Sequence, residues 1–369
     1  MTKPRDFGRN MPHIHQKPYA VLIFHAFCDM LMYKALRFER TAKTYSLRLK
    51  FILKYVKMLI YDIKGVRCME KRELSGLVII NKEEGITSQG VVNRVKRIFG
   101  VAKAGHTGTL DPMATGVLPV LIGRGVKASE FMLTSEKHYG ATLLLGLTTD
   151  TEDVTGEVLT ECEVNLSEEE VLAAISRFVG DIMQTPPMYS ALKVGGKKLC
   201  DLARRGEVIE REARPVHIYS IKAERLSDRE YYLDVVCSKG TYIRTLCADI
   251  GASLGVGGAM KTLKRLSASG YTIDEARTLT ELEEMSVEER DALVYPVEDV
   301  FKKYECVVLP DFFARLAHSG LEIYLNKIKK SFEVGTVLRI ADACGFFAVG
   351  EVKEFEDGLA IKPIRQFRD

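Results

Sequence analysis

The 369-residue chain is 46% hydrophobic with a formal charge of +3, which supplies a large core for two domains, or for one domain with an appendage. No apolar run reaches the ~20 residues that a membrane-spanning helix needs. The eight cysteines include no C-x-x-C pair and no Cys/His metal spacing, so they read as reduced, mostly core thiols of a cytoplasmic protein.

Charge is unevenly spread. Residues 1–68 hold 14 Lys+Arg against 4 Asp+Glu, and the rest hold 39 against 46. A nucleic-acid enzyme with an acidic body must gather its basic residues on one face, so local clusters decide the question. Residues 1–68 are basic, apolar and nearly free of glycine, and Ser46 to Ile63 has the pattern of an amphipathic basic helix. Three readings compete: translation from an upstream start with Met69 as the functional beginning, a targeting or membrane-surface helix, and an extra RNA-binding arm. The first is favoured, because the composition breaks at Met69. Asp29 inside the apolar run, with no small-residue cleavage site, argues against a secretory signal. His13 and His15 form an isolated pair in a polar tail and are assigned no metal.

Gly76–Asn81 reads as a buried strand. Thr87 or Ser88 caps a helix whose apolar residues Val91, Val92, Val95, Ile98 and Phe99 share one face. Next comes Gly105-His-Thr-Gly-Thr-Leu-Asp111-Pro-Met-Ala-Thr-Gly116, followed at once by a buried strand, Val117 to Ile122. Three glycines and Pro112 present one carboxylate, Asp111, in a stiff turn where backbone can come close to another molecule. That arrangement suits a nucleophile or general base. It equally suits a helix cap or turn aspartate, and the residues alone leave both open.

Lys137 to Gly146 reads as a strand carrying Tyr139 near its start. Leu145 to Gly156 holds Asp150 and Asp153 in a Gly-bounded turn, which could be solvated or cation-binding but lacks the EF-hand spacing. Ser167-Glu-Glu-Glu170 is a capping box opening a helix to Phe178. Between 193 and 214 stand seven basic residues, Lys193, Lys197, Lys198, Arg204, Arg205, Arg211 and Arg214. Charge runs are usually solvated surface, but Gly195-Gly196 and the upstream prolines suggest a mobile basic loop able to close on phosphates. Residues 214–226 and 230–237 read as paired strands, and Tyr242 to Leu254 as a helix carrying Arg244. A cation is mildly unfavourable at a helix start, which hints that Arg244 serves another purpose. It is the best candidate to keep Asp111 ionised in a dry pocket. From about 303 onward, short apolar stretches at 336–340, 346–352 and 359–364 suggest a small β-rich appendage. Strands and helices mix without β-α alternation, so the class is α+β.

His106-Thr-Gly-Thr-Leu-Asp111-Pro with Ala114-Thr-Gly116 resembles the catalytic motif of the TruB family of tRNA pseudouridine synthases. Four further motifs follow in that family's order, so the resemblance covers about residues 76–300. It implies a pseudouridine synthase fold with a mixed, mainly antiparallel sheet flanked by helices, and a PUA-like C-terminal domain. The implied organisation is a basic extension at 1–68, a catalytic domain at 69–302 and an RNA-binding domain at 303–369. It implies that Asp111 is the nucleophile and that Arg244 pairs with it. Tyr139 would stack on the flipped uracil and help remove its C5 proton. His106 would support the extruded nucleotide. Lys82, Lys127, Asp153, Tyr242 and Leu263 would lie near the substrate, with Leu263 packing on the base. Lys193, Lys197, Lys198, Arg204 and Arg205 would grip the RNA backbone. Glu83 and Cys200 depart from the family pattern, where a proline and an aromatic residue are common.

The implied reaction converts uridine 55 in the T loop of tRNA to pseudouridine, in a monomer, with attack at C6 or C1′ both open. No redox step or phosphate energy is needed, so no cofactor or metal is expected. The alternatives are a non-catalytic RNA-binding or tRNA-folding protein on the same scaffold, and a synthase acting on another RNA.

Overall fold

The computed structural model describes residues 73–132, 136–190, 192–207 and 209–368. The basic segment 1–68, its expected helix and its histidine pair lie outside these residues.

The chain is α+β. Its main sheet runs in the order β1 (Gly76–Lys82), β3 (Thr115–Ile122), β12 (Gly258–Ala268), β4 (Lys137–Leu145), β11 (Glu230–Cys237), β10 (Arg214–Arg225), β7 (Gly180–Gln184). β2 (Ala104–His106) adds to β3, and β13 (Tyr271–Thr272) to β12. The β3–β12 pairing is parallel and the other pairings of this sheet are antiparallel, as expected from the sequence.

β1 is buried along its length because it has two covered faces. Val78 and Ile80 join one core while Leu77 and Ile79 join another, the alternation that a pleated strand dictates. The first core is closed by helices α1 (Ser88–Ile98), α2 (Glu168–Ser176) and α3 (Ile243–Ser253), through Val91, Val95, Val171, Ile175, Leu246 and Ile250. Thr87 caps α1 by accepting from Gly90 N, and Ser167 with Glu170 forms the foreseen capping box of α2.

β5 (Leu147–Thr149) and β6 (Val158–Glu161) form a small hairpin around the Asp150–Asp153 turn. A second hairpin, β8 (Lys193–Val194) with β9 (Lys197–Lys198), turns through Gly195 and Gly196, at φ of 56° and 82°. Two successive left-handed residues make the tight turn that suits paired strands. The expected basic loop is therefore a hairpin followed by a helical turn, Leu199–Ala203.

A second sheet follows, in the order β14 (Cys306–Val308), β16 (Val337–Asp342), β17 (Gly345–Phe355), β18 (Gly358–Gln366), β15 (Ile323–Tyr324). Leu338, Ile340, Phe347 and Ile361 pack with Ala314 and Ala317 of α4 (Asp311–His318) to make its own core. Val349 and Phe367 leave that core and pack with Leu77, Leu121 and Phe301 against the main sheet. Phe301 lies 5.0 Å from Phe131 and 5.2 Å from Phe367 between ring centroids, spacings at which aromatic pairs attract.

Candidate active site

The turn between β2 and β3 holds Asp111, and its backbone is pinned from several sides. Buried Ser88 at the start of α1 accepts from Leu110 N and donates to Leu110 O, both at 2.8 Å. Lys82, at the end of β1, is fully buried and donates to the carbonyls of Glu83 and Pro112 at 3.0 Å and of Ala114 at 2.5 Å. Its ammonium is thus spent on the catalytic turn itself. Burial, opposed by the Asp111 carboxylate, lowers its pKa to about 8. Gly116 sits at φ 99°, and a Cβ there would come within 2.2 Å of the Arg265 carbonyl. Only glycine lets β3 approach β12 this closely.

Arg244, in the first turn of α3, is 5% exposed and meets the aspartate. Its Nε lies 3.0 Å from Asp111 Oδ2. Nη1 donates to Thr151 O at 2.9 Å and lies 3.7 Å from Asp153 Oδ2, while Nη2 donates to Tyr189 O at 2.7 Å. Three segments far apart in sequence therefore converge on one planar fork, which a lysine could not serve. The second acid, Asp153, is itself held. Its Oδ1 accepts from Thr151 Oγ1 at 2.9 Å and from Thr155 N and Oγ1 at 3.0 and 2.5 Å.

Burial raises the Asp111 pKa, Arg244 opposes that rise, and Asp153 adds to it. The ionised carboxylate is thus less stabilised than a fully paired one.

The pair opens into a cleft of about 560 Å³ whose walls include Tyr139, Tyr242, Leu263 and Arg265. Tyr139 is 7% exposed, and burial raises its pKa against the lowering effect of Arg265. Tyr242 is fixed through its backbone. The buried Gln184 amide accepts from Tyr242 N at 3.0 Å and donates to Tyr242 O at 3.2 Å. Aromatic rings and a leucine around an acid make a slot for a flat base.

The structure thus brings Asp111, Arg244, Asp153, Lys82, Tyr139, Tyr242 and Leu263 together. His106, on β2, does not line the cleft; burial and then Arg265 lower its pKa, so its ring is neutral near pH 7. Lys127 also departs from the expected place beside the substrate. Its Nζ donates to Gln366 O at 2.9 Å, so it joins the main sheet's flank to the C-terminal sheet. Lys82 is a correction of kind, holding the turn through carbonyls.

The basic hairpin starts one residue after Leu192, which lines the cleft. Arg204 and Arg205 are exposed and make surface ion pairs with Asp201 at 3.6 Å and Glu207 at 3.3 Å, and Arg205 Nε also donates to Asp201 O at 3.2 Å. Such pairs are weak enough to be exchanged for phosphates. Arg211 turns inward to donate to Pro186 O at 2.9 Å. Among the described residues no group of three or more His, Cys, Asp and Glu is placed to hold a metal, and no helix is long and apolar enough to cross a membrane.

Sequence reasoning missed Tyr189, Gln184 and Arg265. Arg265 carried a signal. On β12 Leu263 points inward and Lys264 outward, so the next inward position is an arginine, which belongs there only for a reason.

Comparison with known proteins identifies the family. Residues 96–243 match the TruB family pseudouridylate synthase N-terminal domain, and residues 244–302 match the tRNA pseudouridylate synthase B C-terminal domain. The tRNA pseudouridine synthase B of Clostridium tetani is 39% identical over 279 residues, which is 75% of this chain and 96% of that protein. That of Saccharophagus degradans is 42% identical over 301 residues, 79% and 96% of the two chains. A crystal structure of a Cbf5-Nop10-Gar1 complex shares the fold, with a TM-score of 0.60 and 24% identity over 82% of this chain and 88% of that one. With residues 96–302 covered by the two family models, this chain belongs to the TruB family of pseudouridylate synthases.

Proposed function

We propose that this isomerase converts uridine 55 in the T loop of tRNA to pseudouridine, with Asp111 as its nucleophile. The observation that carries the reading is the Asp111–Arg244 pair at 3.0 Å, opening into a cleft walled by Tyr139, Tyr242 and Leu263. The target nucleotide leaves the base stack to reach the cleft. Tyr139 and Leu263 hold the flipped base, and Arg244 keeps the Asp111 carboxylate charged until it attacks. Asp111 bonds to C6 of the base or C1′ of the ribose, the N1–C1′ bond breaks, the uracil turns and C5 bonds to C1′; the bond to Asp111 breaks to restore its carboxylate, the C5 proton leaves and N1 takes a proton. Tyr139 relays the C5 proton in this reading.

In this reading Lys193, Lys197, Lys198 and the exposed Arg204 and Arg205 supply the backbone grip. His106 backs the catalytic turn. Residues 69–302 carry the chemistry in a monomer, and 303–369 form an RNA-binding, PUA-like domain.

The test uses a T-arm stem-loop with tritium at C5 of the target uridine. Release of tritium to water by the wild-type protein, and none with cytidine at that position, is the expected outcome. RNA binding without release would make the chain an RNA-binding protein that only keeps the scaffold.

A further inference from the structure

Arg265 is 1% exposed and among the largest fully buried side chains of the described residues. It lies in the wall of the reaction cleft, yet no carboxylate among the described residues forms an ion pair with it. A buried guanidinium without an anion is costly, and an apolar side chain of similar size would spare the cost. Its charge also burdens its neighbours. After burial, it is a further cause of the lowered pKa values of His106 and Lys137.

The donors show what is gained. Nε donates to Val117 O at 2.7 Å and Nη2 to Gly108 O at 3.2 Å. One of these carbonyls precedes Asp111 and the other follows it. The remaining amino group, Nη1, lies 3.5 Å from the position a Cβ on Gly108 would take. Arg265 also stands directly opposite Tyr139 in the β12–β4 register, and both side chains line the cleft. Its backbone closes the contact from below, since its carbonyl is the group that only glycine at 116 can approach.

We infer that Arg265 is a positioning residue that ties both ends of the Asp111 turn to the Tyr139 ring, so that nucleophile and stacking surface move as one body. This rests on the proposed isomerisation, and it adds a residue that neither attacks nor grips the RNA. Lys82 pins the middle of the turn, and Arg265 pins its ends. A planar fork is needed because Nε and Nη2 serve two separate carbonyls at once from one side chain.

Arg265→Met and Arg265→Lys are compared with wild type and Asp111→Asn on the tritiated T-arm RNA, with amide exchange followed over residues 108–117. Arg265→Met is expected to lower kcat at least about a hundredfold, the scale of a small misplacement at a reacting centre. KM for the RNA changes less than about threefold, and exchange in the turn accelerates. Arg265→Lys recovers only part of kcat, because a point charge cannot span both carbonyls. Wild-type kcat with unaltered exchange in either variant overturns the inference. If Arg265→Met does not fold, Arg265→Lys decides alone: kcat reduced about tenfold or more at unchanged KM supports the tie, and wild-type kcat refutes it. A wild-type protein that releases no tritium refutes the isomerisation instead, while the exchange data still judge the tie.

Discussion

Two arginine–aspartate pairs in this protein behave in opposite ways. In the C-terminal sheet, Asp342 accepts from Arg368 through both carboxylate oxygens, from Cys344 N at 2.8 Å, and pairs with His318 Nε2 at 3.0 Å. Hydrogen bonds from Arg368, outweighing burial, hold its carboxyl well below the usual range. In the cleft, Asp111 receives one Arg244 nitrogen, and that arginine divides its other donors among Thr151, Tyr189 and Asp153. Burial there outweighs the cation and the pKa rises. The same two residue types therefore make a bidentate strut in one place and a shared pair at the wall of a cleft in the other. What differs is how many donors the acid keeps to itself.

The largest effect expected from breaking this contrast is in Asp111→Asn. It should abolish tritium release while RNA binding, followed by filter retention, survives, since the amide keeps the shape and loses the nucleophile. Asp342→Asn should leave kcat within about twofold of wild type. Arg244→Met comes next, with a severe loss of kcat from removal of the charge partner, and Arg244→Lys should restore only part of it. A normal pH–rate profile in the methionine variant would dissolve the pair.

Stability should separate the pairs with opposite signs. The folded pKa of Asp342 is depressed, so its contribution is present above the unfolded value near ~4 and is lost as pH falls through the folded value. Asp342→Asn should lower Tm at pH 7, and the difference should shrink in acid. The folded pKa of Asp111 is raised, so folding disfavours its ionised form. Asp111→Asn should hold or raise Tm at pH 7, with the gain fading as pH falls and the wild-type acid protonates. Thermal melts of both variants across pH 3–8 test the two signs together.

The smallest effect on chemistry is expected from neutralising Lys197, Lys198, Arg204 and Arg205 together. Affinity should fall and its salt dependence flatten by up to about 0.9 per lost contact, with kcat at saturating RNA changed much less. An unchanged salt slope would return these residues to the solvated surface.

Much of this was legible in the sequence because the signals were local. Thr87, the Ser167–Glu170 box and the apolar runs of β1 and β4 announce their own elements, and the Asp111 turn is dense in residues with few other uses. β12 was not foreseen, although it lies inside the main sheet, because Lys261, Lys264 and Arg265 interrupt its apolar pattern. The partners of Arg244 were half visible. Asp111 and Asp153 are side chains with a chemical signature, whereas Thr151 O and Tyr189 O are carbonyls, which every residue has. Lys127 shows the converse: its position suggested the cleft, but its partner, Gln366 O, belongs to a sheet whose docking no local pattern records.

The parallel contact of β3 with β12 has a consequence for synthesis on the ribosome. Val117 O and Arg265 are 148 residues apart in the chain, and β12 separates β3 from β4 within the sheet. The Asp111 segment leaves the ribosome early and can pair with β1 and β2 at once, but the other edge of β3 has no neighbour until the stretch after α3 has been made. Contacts of such long range form late, after loop closure has been met. A nascent or prematurely ended chain stopping before β12 would therefore display the Asp111 motif, the tyrosine and the basic hairpin without a formed cleft. Such a fragment could meet RNA through its cations and leave every uridine unchanged, so that competence arrives only with nearly complete translation of the catalytic region.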